Sequence, residues 1–124
     1  MWGLSPTADY ERRHKLYAKK HPRELRAILA NLEKYFQSLQ EGGRPSDIKA
    51  GFIHPEPRGI IAIDQKGGGS SLAETRLYAY PDDETETLYL VTLGDKRSQA
   101  DDIQEAKRFV ERLRNEREHE QNDE

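Results

Sequence analysis

Apolar residues recur at helical spacing in three segments, two before residue 42 and one after residue 98. The strongest signal is one continuous helix face made of Leu25, Ile28, Leu29, Leu32, Phe36 and Leu39. Pro22 separates this face from a thinner first stripe, because proline removes a helix hydrogen bond. The third stripe consists of Ile103, Ala106, Val110 and Leu113. The pattern predicts two N-terminal helices and one C-terminal helix.

Between these helices the apolar pattern changes to that of strands. Four segments rich in β-branched and aromatic residues, 48–54, 59–63, 75–80 and 88–93, are separated by turn residues. Residues 60–63 are apolar at every position, as in a central strand. The alternation in 75–80 places Arg76, Tyr78 and Tyr80 on one face.

The order of these elements predicts an α+β fold. We expect two N-terminal helices, an antiparallel sheet of about four strands and a C-terminal helix, with the helices on one face of the sheet. Residues 1–7 show no strand pattern, so the first element is expected to be a helix. Residues 1–115 form the single predicted domain, and the charged segment 116–124 is predicted to be a disordered tail.

Composition narrows the classes of function. Of the 124 residues 34% are hydrophobic and 35% charged, and the formal net charge is -3, unlike the basic body of a typical nucleic-acid binder. The absence of cysteine excludes disulfides, thiol nucleophiles and thiolate metal sites. Neither a signal peptide nor an apolar stretch of about 18 residues is present, so we expect a cytoplasmic location and no membrane partner.

The basic residues are unevenly distributed. Residues 9–26 contain seven Lys and Arg against three acids, a local net charge of +4. Such a helix face binds phosphates without sequence preference. A solvated helix surface is the alternative, because charge runs usually indicate exposure only.

A second group of residues has the chemistry of an RNA site. Arg76, Lys96 and Arg97 are expected to meet Tyr78 and Tyr80 on one sheet face. Aromatic rings stack on bases, while cations bind phosphates or stabilise the charge that develops during cleavage. The alternative is that the tyrosines pack as ordinary strand residues and Arg76 pairs with an acid.

His54 is the one histidine placed, at a strand end, where a general acid or base is useful. A structural turn residue is the alternative. The four histidines show no metal-binding spacing, and the glycine-rich loop 67–71 does not match a phosphate-binding loop. We therefore predict no metal and no cofactor.

Three consecutive segments carry a family resemblance. Residues 74–80, 88–99 and 102–108 resemble the C-terminal half of toxins of the RelE/ParE superfamily, including its phage-derived toxin-like branch. The shared pattern is an Arg-aliphatic-x-Tyr strand, an aliphatic strand ending in Gly and a Lys/Arg pair, and then a helix.

The resemblance implies the toxin of a type II toxin–antitoxin pair, with a cognate antitoxin as protein partner. Members of this superfamily include ribosome-dependent mRNA endonucleases and gyrase poisons. By the resemblance, Arg76 matches the arginine that contacts the scissile phosphate. Arg97 or Lys96 matches the basic residue that stabilises the transition state, and Tyr78, Tyr80 or His54 would supply acid–base help.

Two other functions remain open. The nucleases carry two lysines in the strand that corresponds to Ile60–Ile63, which is apolar here. This difference favours a non-catalytic toxin-like module that binds gyrase or the antitoxin. A degenerate, non-toxic relative is the third alternative. The sequence predicts no particular oligomeric state, codon preference or RNA target.

Overall fold

The computed structural model describes residues 1–122 as three helices and a five-stranded sheet. The helices are α1 (Ala8–Lys20), α2 (Pro22–Gln40) and α3 (Gln99–Asn122), and the strands are β1 (Gly3–Pro6), β2 (Ile53–Pro55), β3 (Ile61–Asp64), β4 (Thr75–Asp82) and β5 (Thr87–Asp95). The α+β fold is confirmed. The strand order is β1-β5-β4-β3-β2, and every neighbouring pair is antiparallel except β1 and β5.

Strand β1 corrects the expectation that the chain begins with a helix. It pairs in parallel with β5, with Gly3 opposite Thr87. The buried Trp2 ring lies beside it in the core, and the Gln40 amide group exchanges two hydrogen bonds of 2.9 Å with the Trp2 backbone. Long-range pairing of this kind, rather than local alternation, makes the segment a strand.

The start of α1 depends on Thr7, which also attaches the helix to the sheet. The Thr7 hydroxyl accepts a hydrogen bond of 3.1 Å from the Tyr10 backbone N–H, the usual N-cap contact. The same hydroxyl donates to the Val91 carbonyl at 2.7 Å. Helix α2 begins at Pro22, as the break in the apolar pattern predicts.

Helices cover both faces of the sheet, which corrects the expectation of helices on one face only. Helices α1 and α2 pack on the face that carries Ile61, Ile63, Leu77, Ala79, Leu88, Leu90 and Leu93. Helix α3 packs through Ala106 and Val110 on the opposite face, against Ile60, Ala62 and Tyr78. Because residues 60–63 are apolar on both faces, both faces need a cover.

Helix α3 runs to Asn122, so the disordered tail predicted from residue 116 is helical as far as that residue. Residues 123 and 124 lie outside the described residues. Alternating Glu and Arg favour a helix even without a buried stripe. Arg117 also fixes this part of the helix to the sheet, through a hydrogen bond from its guanidinium to the Asp82 carboxylate at 3.1 Å.

Strand β2 is shorter than the predicted 48–54. The backbone N–H of Ile53 bonds to the Ala50 carbonyl, so the residues before Ile53 form a turn rather than an extended strand. The side chains of Ile48 and Phe52 are partly buried against the core that α1 and α2 cover. These two residues are therefore apolar because they pack on the core from an irregular segment and a turn, not because they belong to a strand.

Candidate functional site

Arg76, Tyr78 and Tyr80 share one face of β4, as the alternation predicts, but this is the face that α3 covers. Tyr78 is 1% exposed, and its hydroxyl has no hydrogen-bond partner among the described residues. Burial raises the pKa of Tyr78 well above its usual value. Its hydroxyl therefore keeps its proton and lies below the surface.

Tyr80 lies further along the strand, in an aromatic cluster. Its ring stacks on Tyr89 with centroids 6.5 Å apart, and Tyr89 contacts Phe109 of α3 at 5.1 Å. Both tyrosines are partly buried against the α3 core. This is the packing role that the sequence left open as an alternative, and it places Tyr80 four strand residues away from Arg76.

Arg76 reaches the surface between carboxylates. Its side chain is 20% exposed, with one guanidinium nitrogen 3.6 Å from Glu74 and another 4.0 Å from Glu56. Its Nε atom is buried and has no hydrogen-bond partner in the described chain. The guanidinium is therefore held in place but retains unused donor capacity.

His54 forms a close pair with Asp64. The distance from His54 Nε2 to Asp64 Oδ2 is 2.6 Å, and the Asp64 side chain is 5% exposed against 28% for His54. Asp64 Oδ1 accepts a further bond from the Lys66 backbone N–H at 2.8 Å. Because a carboxylate only accepts, Nε2 carries the proton in this contact, which leaves Nδ1 as the basic nitrogen of a neutral ring.

The sheet register places this pair beside Arg76. Asp64 lies directly opposite Arg76 in the β3–β4 pairing, and His54 lies opposite Ala62 in the β2–β3 pairing. Alternate residues of a strand share a face, so His54, Asp64 and Arg76 all project from the face that α3 covers. Two strand spacings and an offset of two residues put the backbones of His54 and Arg76 about 12 Å apart. We call these three residues the Arg76 site.

Lys96 and Arg97 lie in the turn that leaves the same end of the sheet. Arg76 of β4 lies opposite Gly94 of β5. Lys96 follows Gly94 by two residues in the chain. The Asp95 carboxylate accepts hydrogen bonds from the backbone N–H groups of Arg97 and Ser98 at 2.9 and 3.1 Å. Both basic side chains are exposed, and neither forms an ion pair within residues 1–122.

A buried polar contact that the sequence did not reveal supports this turn. The Ser98 hydroxyl donates to Asp102 Oδ2 at 2.6 Å, and Asp102 is 1% exposed. Burial raises the pKa of Asp102 and outweighs the opposite influences of the Ser98 hydrogen bond and the Arg13 charge. A Cβ atom on Gly94 would clash with this carboxylate and with the Ser98 hydroxyl, so a larger residue there would displace both groups.

Three residues of the site were missed by the sequence reasoning. Asp64 and Glu56 contact predicted site residues, and Asp102 fixes the turn that carries two of them. An acid at the end of an apolar strand is the signal for Asp64, and the Gly-x-x-x-Ser spacing before Asp102 is the signal for the turn. The register places His54 and Arg76 on one sheet face and the Lys96–Arg97 turn at the same end of the sheet, three strands from His54. Tyr78 and Tyr80 lie under or beside α3.

Two open grooves lie elsewhere on the surface of the described residues. One of about 970 Å³ lies between residues 45–59 and the C-terminal half of α3, and one of about 580 Å³ lies between α1, α2 and β1. Arg76 lines neither. Within residues 1–122 no cluster of three or more His, Asp or Glu side chains has the arrangement of a metal site, and none of the three helices combines the length and apolar character of a membrane span.

Comparison with known proteins adds no family assignment: no family model, curated protein or solved structure matches this chain.

Proposed function

We propose that the protein is a cytoplasmic toxin-like RNA endonuclease of a type II toxin–antitoxin pair, acting on mRNA in translation. The observation that carries this proposal is the His54–Asp64 pair lying beside Arg76 on one sheet face. An imidazole fixed by a buried carboxylate, on the same sheet face as a guanidinium with spare donors, is a suitable arrangement for cleaving a phosphodiester.

The chemistry that fits is attack by the RNA 2′-hydroxyl on the adjacent phosphorus. His54 Nδ1 takes the 2′-hydroxyl proton while the new P–O2′ bond forms. Arg76 and a cation from the Lys96–Arg97 turn stabilise the extra negative charge on the phosphorane. The P–O5′ bond then breaks, and the leaving oxygen takes a proton from water. The products are a 2′,3′-cyclic phosphate and a free 5′-hydroxyl.

Each protein residue in this scheme has a role that its contacts support. Asp64 is a positioning residue, since it holds the His54 proton on Nε2 and leaves Nδ1 free. The phosphate must compete with Glu56 and Glu74 for Arg76, and the Glu74 side chain, 42% exposed, is free to move aside. Tyr78 supports the site from below and transfers no proton.

The test is an RNA cleavage assay with a 5′-labelled transcript, in the presence and absence of translating ribosomes. We expect Arg76→Ala to lower the cleavage rate about 10²–10³-fold, since it removes a charge-stabilising donor. We expect His54→Gln to lower it about 10²-fold or more. Arg12→Ala, an exposed cation paired with Asp9 on α1, serves as the matched control and should cleave like the wild type. Equal cleavage by all four proteins would end the proposal.

A non-catalytic binding module is the second candidate function. The observation that favours it is that Arg76 already has two carboxylates within 4.0 Å while Tyr78 is covered by α3. Such a module would stop growth by binding gyrase or be held by an antitoxin. Growth arrest that persists in an Arg76→Ala/Arg97→Ala double variant, without RNA cleavage, would favour this function; overexpression without any arrest would indicate a non-toxic relative.

The proposed protein partner is a cognate antitoxin. Small proteins encoded next to a toxin gene are the natural source of such a partner. Co-expression with the product of an adjacent small gene, followed by co-purification through a tag on that product, tests this part. We expect a stable complex that restores growth, and failure of the adjacent product to bind would contradict the antitoxin assignment.

A further inference from the structure

Six exposed cations come from two distant stretches of the chain, and the fold places them at the same end of the sheet. They are Lys19, Lys20, Arg23, Arg26, Lys96 and Arg97, and we call them the basic end. None of the six forms an ion pair within residues 1–122. The last turn of α1 and the first turns of α2 contribute four of them, and the β5–α3 turn contributes two.

Contacts between α1 and the end of β5 join the two groups. The Arg13 guanidinium donates to the Leu93 carbonyl at 3.1 Å and lies 3.7 Å from Asp102. One turn further along α1, burial raises the pKa of Tyr17 to about 12, and the nearby charges of Asp95 and Asp102 add to the rise. The last turn of α1 therefore lies next to the Lys96–Arg97 turn.

Helix α2 extends this surface across the sheet, from β5 to the end of β3. The Asn31 amide donates to the carbonyls of Asp64 and Lys66 at 2.9 Å each. One turn earlier, Ala27 packs against Gly68 in the β3–β4 loop, so closely that a Cβ on Gly68 would lie 2.4 Å away. The first turns of α2 thus lie beside the loop that leads from Asp64 to Arg76. The α1 and α2 cations of the basic end and the Arg76 site therefore lie at the same end of the sheet, on opposite faces.

We propose that the basic end binds the sugar-phosphate backbone of RNA and guides it to the Arg76 site. This inference rests on the proposed function for the identity of the polymer. Unpaired, exposed Lys and Arg are the groups that exchange condensed counterions for phosphates. The basic stretch of the sequence divides accordingly: Arg12 and Arg13 are paired with Asp9 and Asp102, whereas the five cations after them, Lys15 and the four of the basic end, form no ion pair within residues 1–122.

The test measures binding separately from cleavage. A His54→Gln background keeps the RNA intact, and the affinity for a fluorescein-labelled single-stranded 20-mer is followed between about 50 and 300 mM salt. For single strands each phosphate contact contributes a slope of about -0.7 in log K against log salt, so six contacts give about -4. We expect Lys19→Glu/Lys20→Glu, Arg23→Glu/Arg26→Glu and Lys96→Glu/Arg97→Glu each to weaken binding at least about tenfold and to reduce the slope by about 1.4.

The control is Arg112→Glu/Arg114→Glu, two exposed positions on α3 that change the net charge by the same amount. This variant should keep its affinity within about twofold and its slope unchanged. An equal loss in the control would show that only net charge matters and would overturn the proposal. Unchanged RNA affinity in all three basic-end variants, with or without binding to phosphatidylglycerol vesicles, would overturn it as well.

Failure of this inference can be distinguished from failure of the proposed function. Cleavage of the long RNA should fall with its affinity in Arg23→Glu/Arg26→Glu and stay unchanged in the control Arg112→Glu/Arg114→Glu. RNA that binds at the basic end but is never cleaved would contradict the endonuclease and leave the binding surface intact. If the basic-end variants cleave long RNA at the wild-type rate, the binding surface is contradicted and the endonuclease proposal is kept.

Discussion

The two ends of the sheet use charge in opposite ways. At the β4–β5 hairpin lies what we call the acidic end, Asp82, Asp83, Glu84 and Glu86, and three of its carboxylates have partners within the protein. Arg117 pairs with Asp82 and Glu84, and the N-terminal amino group lies 3.5 Å from Glu86. At the basic end the six cations have no such partners within residues 1–122. One end uses its charges in internal ion pairs, and the other leaves its charges unpaired at the surface.

Under the proposed RNA binding, this difference would give a chain of net charge -3 a surface for a polyanion. The register sets the separation, because Asp82 pairs with Thr87 at one end of the β4–β5 ladder while Thr75 pairs with Asp95 at the other. The ladder spans eight residues of β4, or about 25 Å. At physiological salt that distance is about three screening lengths, so the acids hardly weaken the field at the basic end.

The largest expected effect concerns the turn that presents Lys96 and Arg97. Gly94→Ala would place a methyl group 2.0 Å from the Asp102 carboxylate and 2.3 Å from the Ser98 hydroxyl. The first turn of α3 has to move, and overpacking of this kind costs about 1–3 kcal/mol. Urea denaturation should show a free energy of unfolding lowered by about 3 kcal/mol. Gly51→Ala, where a Cβ meets nothing within 4 Å, is the control and should unfold like the wild type; equal stability of both variants would contradict the close packing.

The acidic end provides the next effect. Asp82→Ala removes the partner of Arg117 and the acceptor for the Thr85 hydroxyl, which lies 2.6 Å from the Asp82 carboxylate. Breaking a largely buried pair costs about 3–5 kcal/mol, and partial exposure of Arg117 reduces this to about 2 kcal/mol. Lys20→Ala at the basic end should change stability by less than about 0.5 kcal/mol. Similar losses from the two substitutions would remove the distinction between the ends.

A smaller effect appears when pH is varied. Burial alone would raise the pKa of Asp82, but hydrogen bonds from Arg117 and Thr85 hold it below its usual value. The carboxylate therefore contributes stability above about pH 4, and this contribution is lost as pH falls through the lowered pKa. The stability difference between wild type and Asp82→Asn should be full at pH 7 and shrink towards pH 3. A difference that is constant with pH would contradict the ion pair.

For Asp102 the same experiment should show a pH dependence of stability opposite to that of Asp82. Its pKa is raised, so its protonated form is favoured in the folded protein, and this contribution is lost as pH rises through the raised pKa. An Asp102→Asn variant should gain stability relative to wild type between about pH 4 and pH 7. Parallel pH profiles for Asp82→Asn and Asp102→Asn would contradict the different environments of the two acids.

Local patterns predicted the helices well, and long-range pairing explains what they missed. The apolar face of α2 follows directly from helical periodicity. Strand β1, by contrast, forms only because β5 lies beside it, and the paired residues Gly3 and Thr87 are 84 positions apart in the sequence. Residues 60–63 already indicated two covered faces, yet nothing local assigned α3 to the second face. Its polar C-terminal half is fixed by Arg117, whose partner Asp82 is 35 residues away.

For the candidate site, the sequence indicated individual residues but not their contacts in the fold. His54, Arg76, Lys96 and Arg97 were identified from residue type and position, and the fold brings them to one end of the sheet. The partner of His54 was not identified, because Asp64 reaches it only through the β2–β3 register. The division of cations into paired and unpaired also depends on tertiary placement, as the contact of Arg13 with Asp102 shows.

The most direct test of the central claim, that RNA binds at the basic end and reaches Arg76, is a titration of the ¹⁵N-labelled His54→Gln protein with a single-stranded RNA, followed by amide chemical shifts. The account predicts the largest shifts at residues 19–26, 75–77 and 95–98, with residues 82–87 and 111–120 unmoved. Shifts concentrated at the acidic end, or no shifts at an RNA concentration that saturates binding in fluorescence, would contradict it.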